Sequence, residues 1–557
     1  MWLKVKLKLF LFLHLLKHIE MKTTLQLLLF LFTCGAFAQI TLEHTYNDNA
    51  VTRLKLEYSG EKYYTLKKAT NELIFYNADH TLWKTITLPA PAPTQLTSTK
   101  VFHVSEAKIN PDANLEIIFG YFNDTTTSYE SKIISESGLV LLTIPNAYSV
   151  YLNEIQGLPD KLISENYSVN PNSKVYSVPE LTLENTYTDG NVSRINLENS
   201  SEKYYLLDKV NNNAKVYNSN HSLWKTVSLP KPINAIYTNI DVISETQLNP
   251  DAVLEIGYAY SETVNNSKQY EAKIMNENNL VLLTVPNSSR LQISSLEGLQ
   301  NKLIAAIQMN SGTWSFGTSI YDLPSLTLEN AYQTQVKRVK LENSDEKYYT
   351  NSWLLDNQAK IYNSNHTLWK TITLPLPVDS EYQIDVVSNL SETKIDADAL
   401  IELSYTYVVK GLLEPYHYSR VINENGTILL QADGVLGLYL NEIQGLNNKL
   451  IGYTIDFNYA SETGKVYSLE TLGVRDFNKN EKVFITPNPA KSFLNINATY
   501  FPVIEATIYN LNGALVKKET SQNITKIDID KLPTGIYIVN LTDFNNQKST
   551  HKIIISH

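Results

Sequence analysis

The 557-residue sequence predicts an all-β protein: three repeats of about 140 residues forming a propeller-like array, followed by a C-terminal β-sandwich. Three observations carry that expectation. First, the chain repeats itself: "TLEHTYNDNAVTRLKLEYSGEKYY" from Thr41 returns as "TLENTYTDGNVSRINLENSSEKYY" from Thr182 and "TLENAYQTQVKRVKLENSDEKYY" from Thr327. Second, each copy consists of short Val/Ile/Tyr/Leu-rich segments that alternate apolar with polar residues between clusters of Asn, Asp, Ser and Gly, as antiparallel strands joined by turns do. Third, 36 tyrosines stand against 20 glycines and 20 prolines, and no 3.6-residue apolar stripe runs between Thr41 and Leu469.

In chain order, residues 1–38 read as a secretory leader. From Met21, "MKTTLQLLLFLFTCGAFAQ" has a basic start, an apolar run and small residues at Ala36 and Ala38, which places cleavage between Ala38 and Gln39. Met21 is then the expected true start and the first twenty residues an over-extended beginning. Neither apolar run reaches the roughly 18 residues that span a bilayer, so the chain is not expected to be membrane-spanning. A lipidated Cys34 is disfavoured by Thr33 before it. Cys34 is the only cysteine, so the processed chain has no thiol for a nucleophile, a disulfide or a thiolate metal site. Losing the leader moves the formal charge from −10 to −14, with 42 basic and 56 acidic residues, and no stretch supplies the basic footprint nucleic acid requires.

The repeats follow as 39–180, 181–325 and 326–472. Ten to twelve strands fit in each, about three four-stranded sheets of ~45 residues, so a single ring would have eight or nine blades. Three tandem β-sandwich domains are the alternative. The joins "KVYSVPELTLENTY" and "SIYDLPSLTLENAY" run from one copy into the next without a loose linker, which favours the ring.

After a linker at 473–482, residues 483–557 break the pattern. "VFITPNPAKSFLNIN", "EATIYNLNGALVKKE" and "KIDIDKLPTGIYIVNL" give strands joined by Asn-Pro, Asn-Gly and Pro-Thr-Gly turns, ending on an Ile-rich strand. This segment resembles the C-terminal sorting domain of proteins exported by the type IX (Por) secretion system of Bacteroidetes, through Pro487, Asn488, Pro489, Tyr509, Asn510, Gly513, Leu532, Pro533, Gly535, Tyr537 and Ile553 to Ile555. The resemblance implies handling by the type IX machinery and export through the periplasm, with release or attachment at the cell surface. The repeats resemble uncharacterised β-repeat cargo of such tails, which names no ligand.

Three sets of residues are candidates for chemistry. His80/Trp83, His221/Trp224 and His366/Trp369 recur in "[DN]-H-[ST]-L-W-K-T". Imidazole could act as base or ligand and indole could bind a sugar face. A constellation repeated with its fold is nonetheless expected to be packing, with His in a turn and Trp in an inter-sheet slot. Asp112/Glu116, Asp251/Glu255 and Asp398/Glu402 precede a strand in each copy. Paired carboxylates can hydrolyse glycosides; as turn residues they would fix the strand entry. Calcium is the one metal left open, although "NPDANLE" is sparser than an ordinary calcium loop, and no cofactor is expected. The third set is the tyrosines, most expected to pack across strands and some to be exposed contacts. No phosphate-cradling loop, nucleophile elbow, zinc-protease helix or dinucleotide fingerprint is present. The reading is a non-enzymatic module that binds a glycan or a surface protein; an exported hydrolase of glycans or proteins is the alternative.

Overall fold

The computed structural model describes all residues except 1–39, 48, 92–98, 167–170, 309–315, 353–355, 378–380, 397, 399, 410–415, 456–461, 470–482, 487–489, 499–501, 511–512, 544–547 and 557. The chain forms two compact units, 1–470 and 471–557.

Among the described residues the first unit holds nine four-stranded antiparallel sheets. Eight are local meanders: blade 1 at 51–87, blade 2 at 100–145, blade 3 at 149–187, blade 4 at 192–228, blade 5 at 236–286, blade 6 at 288–332, blade 7 at 336–373 and blade 8 at 382–433. Blade 9 takes three strands from 438–469, and its fourth is Ile40–Tyr46 from the other end of the chain. That strand pairs antiparallel with Glu462–Leu469, Ile40 opposite Leu469 and Tyr46 opposite Gly464.

Alternation alone would give each sheet one apolar face, but central strands such as Glu116–Asn123 are buried at successive positions, so both faces of a sheet pack against its neighbours. Nine apolar clusters fill the nine junctions between consecutive blades. The cluster of Tyr46, Val51, Tyr63, Ile451 and Val466 joins blade 9 to blade 1. The ring is therefore closed, a nine-bladed propeller with three blades per repeat, and tandem sandwiches are excluded. First strands of neighbouring blades approach one another, as Ile236–Ser244 and Ser288–Ser294 do, so they form the inner rim and the fourth strands the outer one.

The boundaries at 181 and 326 fall inside sheets. Leu183–Tyr187 opens the second sequence repeat but completes blade 3, and Leu328–Tyr332 likewise completes blade 6. The reason is the same closure: each repeat contributes its first strand to the blade before it. The outer edge is also protected in a regular way. In all nine blades a β-bulge interrupts the pairing of the third and fourth strands, which twists the exposed edge away from pairing with another chain.

The second unit is a sandwich. A three-stranded sheet (Val483–Thr486, Phe493–Ala498, Lys526–Asp528) shares one core with a four-stranded sheet (Leu515–Thr520, Val503–Asn510, Gly535–Asp543, Lys548–Ile555). Leu494, Val503, Ile508, Ile527, Val539 and Ile555 lie in that core.

Deleting residues 40–46 removes Ile40 and Tyr46 from their clusters and frees the edge of Glu462–Leu469. At about 1.5–3 kcal/mol per buried side chain, the loss of stability is expected to be at least ~3 kcal/mol by chemical denaturation. Oligomers should appear in size exclusion as the open edge finds partners. An unchanged midpoint with monomeric elution would contradict the closed ring.

Candidate functional site

The repeated histidines sit in the hairpin between the third and fourth strands of blades 1, 4 and 7. The turn is built locally, with the His80 NH donating to the Asn77 carbonyl at 2.9 Å and the Asn77 NH to the Thr81 carbonyl at 2.9 Å. This geometry needs one left-handed residue. Blades 2 and 8 use Gly138 and Gly426 there and blade 5 uses Asn279, whereas His80, His221 and His366 adopt φ of 65°, 64° and 64°. For a residue with a Cβ, that conformation costs about 1–2 kcal/mol.

The imidazole repays the strain by reaching the neighbouring blade. His80 Nδ1 hydrogen-bonds the Tyr46 hydroxyl at 2.7 Å, and His221 and His366 bond Tyr187 and Tyr332 at 2.8 Å each. Nε2 faces Glu43 at 3.7 Å, Glu184 at 3.6 Å and Glu329 at 3.6 Å. Each ring also tilts onto a core tyrosine, Tyr63, Tyr204 or Tyr348, at 4.7, 4.7 and 4.9 Å between centroids. Lys449, Lys161 and Lys302 pair with the same glutamates at 2.5, 2.5 and 2.6 Å. Burial raises the Glu43 carboxyl, but His80 and Lys449 outweigh it and bring it down to about 2. Burial holds His221 and His366 below the ordinary imidazole range despite their glutamates. The histidine side chains are only 7, 12 and 11% exposed.

The same three junctions carry buried arginines that sequence reasoning missed. Arg53 pairs with Glu61 at 2.7 Å and donates to the carbonyls of Asn441 and Asn447 in blade 9. Arg194 pairs with Glu202 at 2.7 Å and reaches the Asn153 and Pro159 carbonyls; Arg338 pairs with Glu346 at 2.6 Å and reaches those of Ser294 and Gln300. The signal was present as an Arg and a Glu eight residues apart in every copy.

The tryptophans are half-buried at the next junction along. Trp83 packs against the cluster that joins blades 1 and 2, with Lys62 and Lys84 over its ring at 4.8 and 4.5 Å. Trp224 lies under Lys203 and Lys225 at 4.9 and 4.2 Å, and Trp369 under Lys347 and Lys370 at 4.7 Å each. Lys84 continues to Glu136 of blade 2 at 2.6 Å, so the indole is covered by a cation that belongs to an inter-blade ion pair.

The carboxylates divide into two kinds. Asp112 is exposed and builds a turn: Oδ1 accepts the Asn114 NH at 3.0 Å and Oδ2 accepts from the Asn110 amide at 2.8 Å. Asp251 and Asp398 repeat the first of these bonds with Val253 and Leu400. Glu116, Glu255 and Glu402 are 0% exposed; no donor meets strict hydrogen-bond geometry on their oxygens, but Asp251 and Asp398 lie within side-chain hydrogen-bond reach of Glu255 and Glu402, so each of these two pairs can share a proton. Burial pushes Glu116 up to about 8, reinforced by Asp112, while the Asn110 backbone NH acts in the opposite direction. Burial likewise takes Glu255 to about 8, reinforced by Asp251, and Glu402 to about 9, reinforced by Asp398 and Asp396. Among the described residues, no group of three or more His, Cys, Asp or Glu side chains is gathered as a metal site.

Aromatic clusters mark a third place, where the second strand ends and the third begins in blades 2 and 8. Tyr129 meets Phe122 at 5.1 Å and Tyr148 at 4.8 Å, with Lys100 over Tyr148 at 5.2 Å. In blade 8, Tyr407 and Tyr418 stack at 5.1 Å, Tyr416 meets Tyr418 at 4.9 Å, and Arg420 lies 5.4 Å from Tyr407. Tyr148 and Tyr416 are 36% and 38% exposed.

In the C-terminal unit, Tyr509 and Asn510 end the strand Val503–Asn510, and the Gly513 NH closes the turn onto the Asn510 carbonyl at 3.0 Å with φ 76°. Leu532 packs against the core, Gly535 opens Gly535–Asp543, and the Tyr537 hydroxyl donates to the Pro533 carbonyl at 2.8 Å. Pro487, Asn488 and Pro489, and the expected cleavage point at Ala38 and Gln39, lie outside the described residues.

The architecture is thus a closed β-propeller carrying a C-terminal β-sandwich. Residues 484–556 match the family model of the secretion system C-terminal sorting domain, and this unit marks the chain for export by type IX secretion. A 77-residue stretch is 36% identical to beta-agarase D of Zobellia galactanivorans, covering 14% of this chain and 15% of that protein. Among solved structures, the Dos1 propeller aligns with a TM-score of 0.37 at 10% identity, over 78% of this chain and 95% of that one. BamB from Moraxella catarrhalis aligns with a TM-score of 0.34 at 9% identity, over 67% and 97%. At such scores the propeller assignment rests on the nine sheets and nine junctions themselves. No helix among the described residues is long and apolar enough to cross a membrane.

Two outcomes follow from this geometry. His80→Ala and His80→Gly both lose the Tyr46 bond, but only glycine relieves the left-handed strain. The glycine variant is therefore expected to be the more stable by about 1 kcal/mol in urea denaturation. The second concerns pH. A carboxyl raised from 4.5 to about 8 on folding leaves the folded state holding the extra proton, so stability falls as pH rises across that window and levels off above it. The triple variant Glu116→Gln, Glu255→Gln, Glu402→Gln should gain in melting temperature over the parent as pH rises from 5 to 8. A gap independent of pH would show that these carboxyls ionise normally.

Proposed function

We propose that this exported chain is a non-enzymatic binding module, released or held at the cell surface after leader removal between Ala38 and Gln39 and passage through the periplasm. It engages a glycan or a surface protein through the aromatic rim of blades 2 and 8. The observation that carries this reading is the pre-stacked tyrosine clusters at one end of those blades. Tyr148 and Tyr416 are partly exposed but held by ring neighbours, with Lys100 and Arg420 against the clusters. Aromatic side chains held this way offer large contact area at small entropic cost, and stack equally well on sugar or peptide faces.

The histidines and tryptophans are proposed as structural residues, because each His/Tyr/Glu set spans two blades and is nearly closed to solvent. Glu116, Glu255 and Glu402 are fully buried, which supports a role other than attack on an external substrate. The test uses the processed protein on glycan arrays, on surface-protein extracts and with chromogenic glycosidase and protease substrates. Binding without turnover is expected, with Tyr148→Ala and Tyr416→Ala weakening it about tenfold or more, the equivalent of ~1.4 kcal/mol, at unchanged melting temperature. Turnover abolished by a carboxylate substitution in one copy would establish the hydrolase alternative instead.

A further inference from the structure

The junction that closes the ring differs from the other two copy boundaries at one telling residue. The closing strand Ile40–Tyr46 carries His44 opposite Val466, where the equivalent strands carry Asn185 opposite Val175 and Asn330 opposite Ile320. Those asparagines lie within side-chain hydrogen-bond reach of the Tyr187 and Tyr332 hydroxyls. His44 instead stacks flat on His80 of blade 1, with 4.6 Å between centroids and 7° between planes, and meets the Tyr46 ring edge-on at 4.6 Å.

Two imidazoles packed face to face are compatible while at most one is charged, but two imidazolium rings this close repel. The surrounding charges do not offset both. Glu43 lies 3.7 Å from His80 Nε2 and is already paired with Lys449 of blade 9 at 2.5 Å. Asp79, beside His80 in the hairpin, is exposed and bonded to Thr81, and Glu61 is held by Arg53 at 2.7 Å. Tyr46, Tyr63 and Tyr76 fill the remaining ring contacts, and on the strand behind, Lys465 lies opposite Thr45. Burial and the His80 ring hold His44 below the ordinary imidazole range, against the pull of Glu43.

The strand that carries His44 also lacks a tether. Leu183–Tyr187 and Leu328–Tyr332 each follow the third strand of their blade through a turn, whereas Ile40–Tyr46 is joined to Glu462–Leu469 by hydrogen bonds with no turn between them. Such a strand can leave its sheet while the rest of the blade stays in place.

We infer that the His44/His80 stack makes the closing seam an acid-released latch: as both rings take up a proton, Ile40–Tyr46 detaches from Glu462–Leu469 and blade 1, and the propeller opens there before it opens at the other copy boundaries. Folded His44 holds a proton less readily than the unfolded chain does, so the closed seam is favoured at neutral pH and loses stability as pH falls through the imidazole range. Burial gives His221 and His366 the same sign, but each of their boundaries has no second histidine stacked on the first. The buried glutamates act in the opposite direction on the whole ring, which makes local exchange the measurement instead of melting temperature.

The test is hydrogen–deuterium exchange, read by mass spectrometry on the processed full-length protein at pH 7.5 and 5.0 and corrected for the intrinsic pH dependence of amide exchange. Peptides covering 40–46 and 462–469 report the closing seam, and those covering 173–187 and 316–332 report the other boundaries. At pH 5.0 opening at the closing seam is expected to rise about fivefold more than at the others, the factor that two unit charges this close produce even in surroundings as polar as water. His44→Asn installs the residue type found in the other copies, so it is expected to fold; it should abolish the excess and leave exchange at pH 7.5 unchanged. The inference fails if the three boundaries of the parent respond alike, or if His44→Asn keeps the excess. Should that variant already be open at pH 7.5, Asn185→His decides: it builds the same stack on His221, and no added acid response at that boundary would sink the latch.

Discussion

Ring closure is the constraint on which the rest of this molecule depends. A ring of sheets has no free edge between blades only if its last sheet is completed by the start of the chain, and here Ile40–Tyr46 does this as the fourth strand of blade 9. Once that strand is committed backwards, every later repeat must do the same. Leu183–Tyr187 and Leu328–Tyr332 therefore complete blades 3 and 6, and each copy is covalently continuous with one blade while hydrogen-bonded into the one before it. Pulling two copies apart would break a sheet, not merely a face-to-face contact.

The heaviest polar stitching falls at the three junctions where one copy meets the next. At each, an arginine reaches two carbonyls of the preceding blade, and a strained histidine ties its own hairpin to that blade's outer strand. Buried ion pairs seldom add much net stability, since desolvation offsets the Coulomb gain. Their directional demands do discriminate between registers: recurring alike at all three copy boundaries, they do not tell one copy from another, but they set those boundaries apart from the six other junctions. The Tyr/His/Glu/Lys set and the Arg/Glu pair accept one geometry of approach, whereas the apolar clusters alone would tolerate several. The six other junctions carry apolar clusters, some with added glutamate clamps or Lys–Glu pairs.

Much of this was legible beforehand. Repeat length, strand count and the unbroken joins favour a propeller-like array over tandem sandwiches, with eight or nine blades if one ring closes, and the motifs after Val483 point to the sorting sandwich. The threefold recurrence of the His/Trp motif reads as packing, yet its partners are not visible in the sequence: Tyr46 lies 34 residues from His80, on a strand of another blade. Trp83 was placed in an inter-sheet slot and is found half-buried beneath two lysines, because the fourth strand is the outer edge of its sheet and covers only one side. Arg53 and Glu61 passed unremarked, since an Arg and a Glu on neighbouring strands resemble any solvated pair until a second blade buries them.

What the sequence determined by itself was everything local and everything periodic: strands from alternation, turns from Asn, Asp and Gly, three copies from self-similarity, and the export tail from its ordered motifs. These follow because side-chain period and turn chemistry act over a few residues. What only the tertiary structure decided was the blade number, the borrowed strand, and which acids lose their water. "NPDANLE" reads as a solvated turn, and Asp112 is one. Glu116, four residues on, is sealed beneath the loop because the following strand runs buried between two neighbouring blades. Burial depends on what packs from far along the chain, and that information is carried by the closed ring rather than by any single stretch of residues.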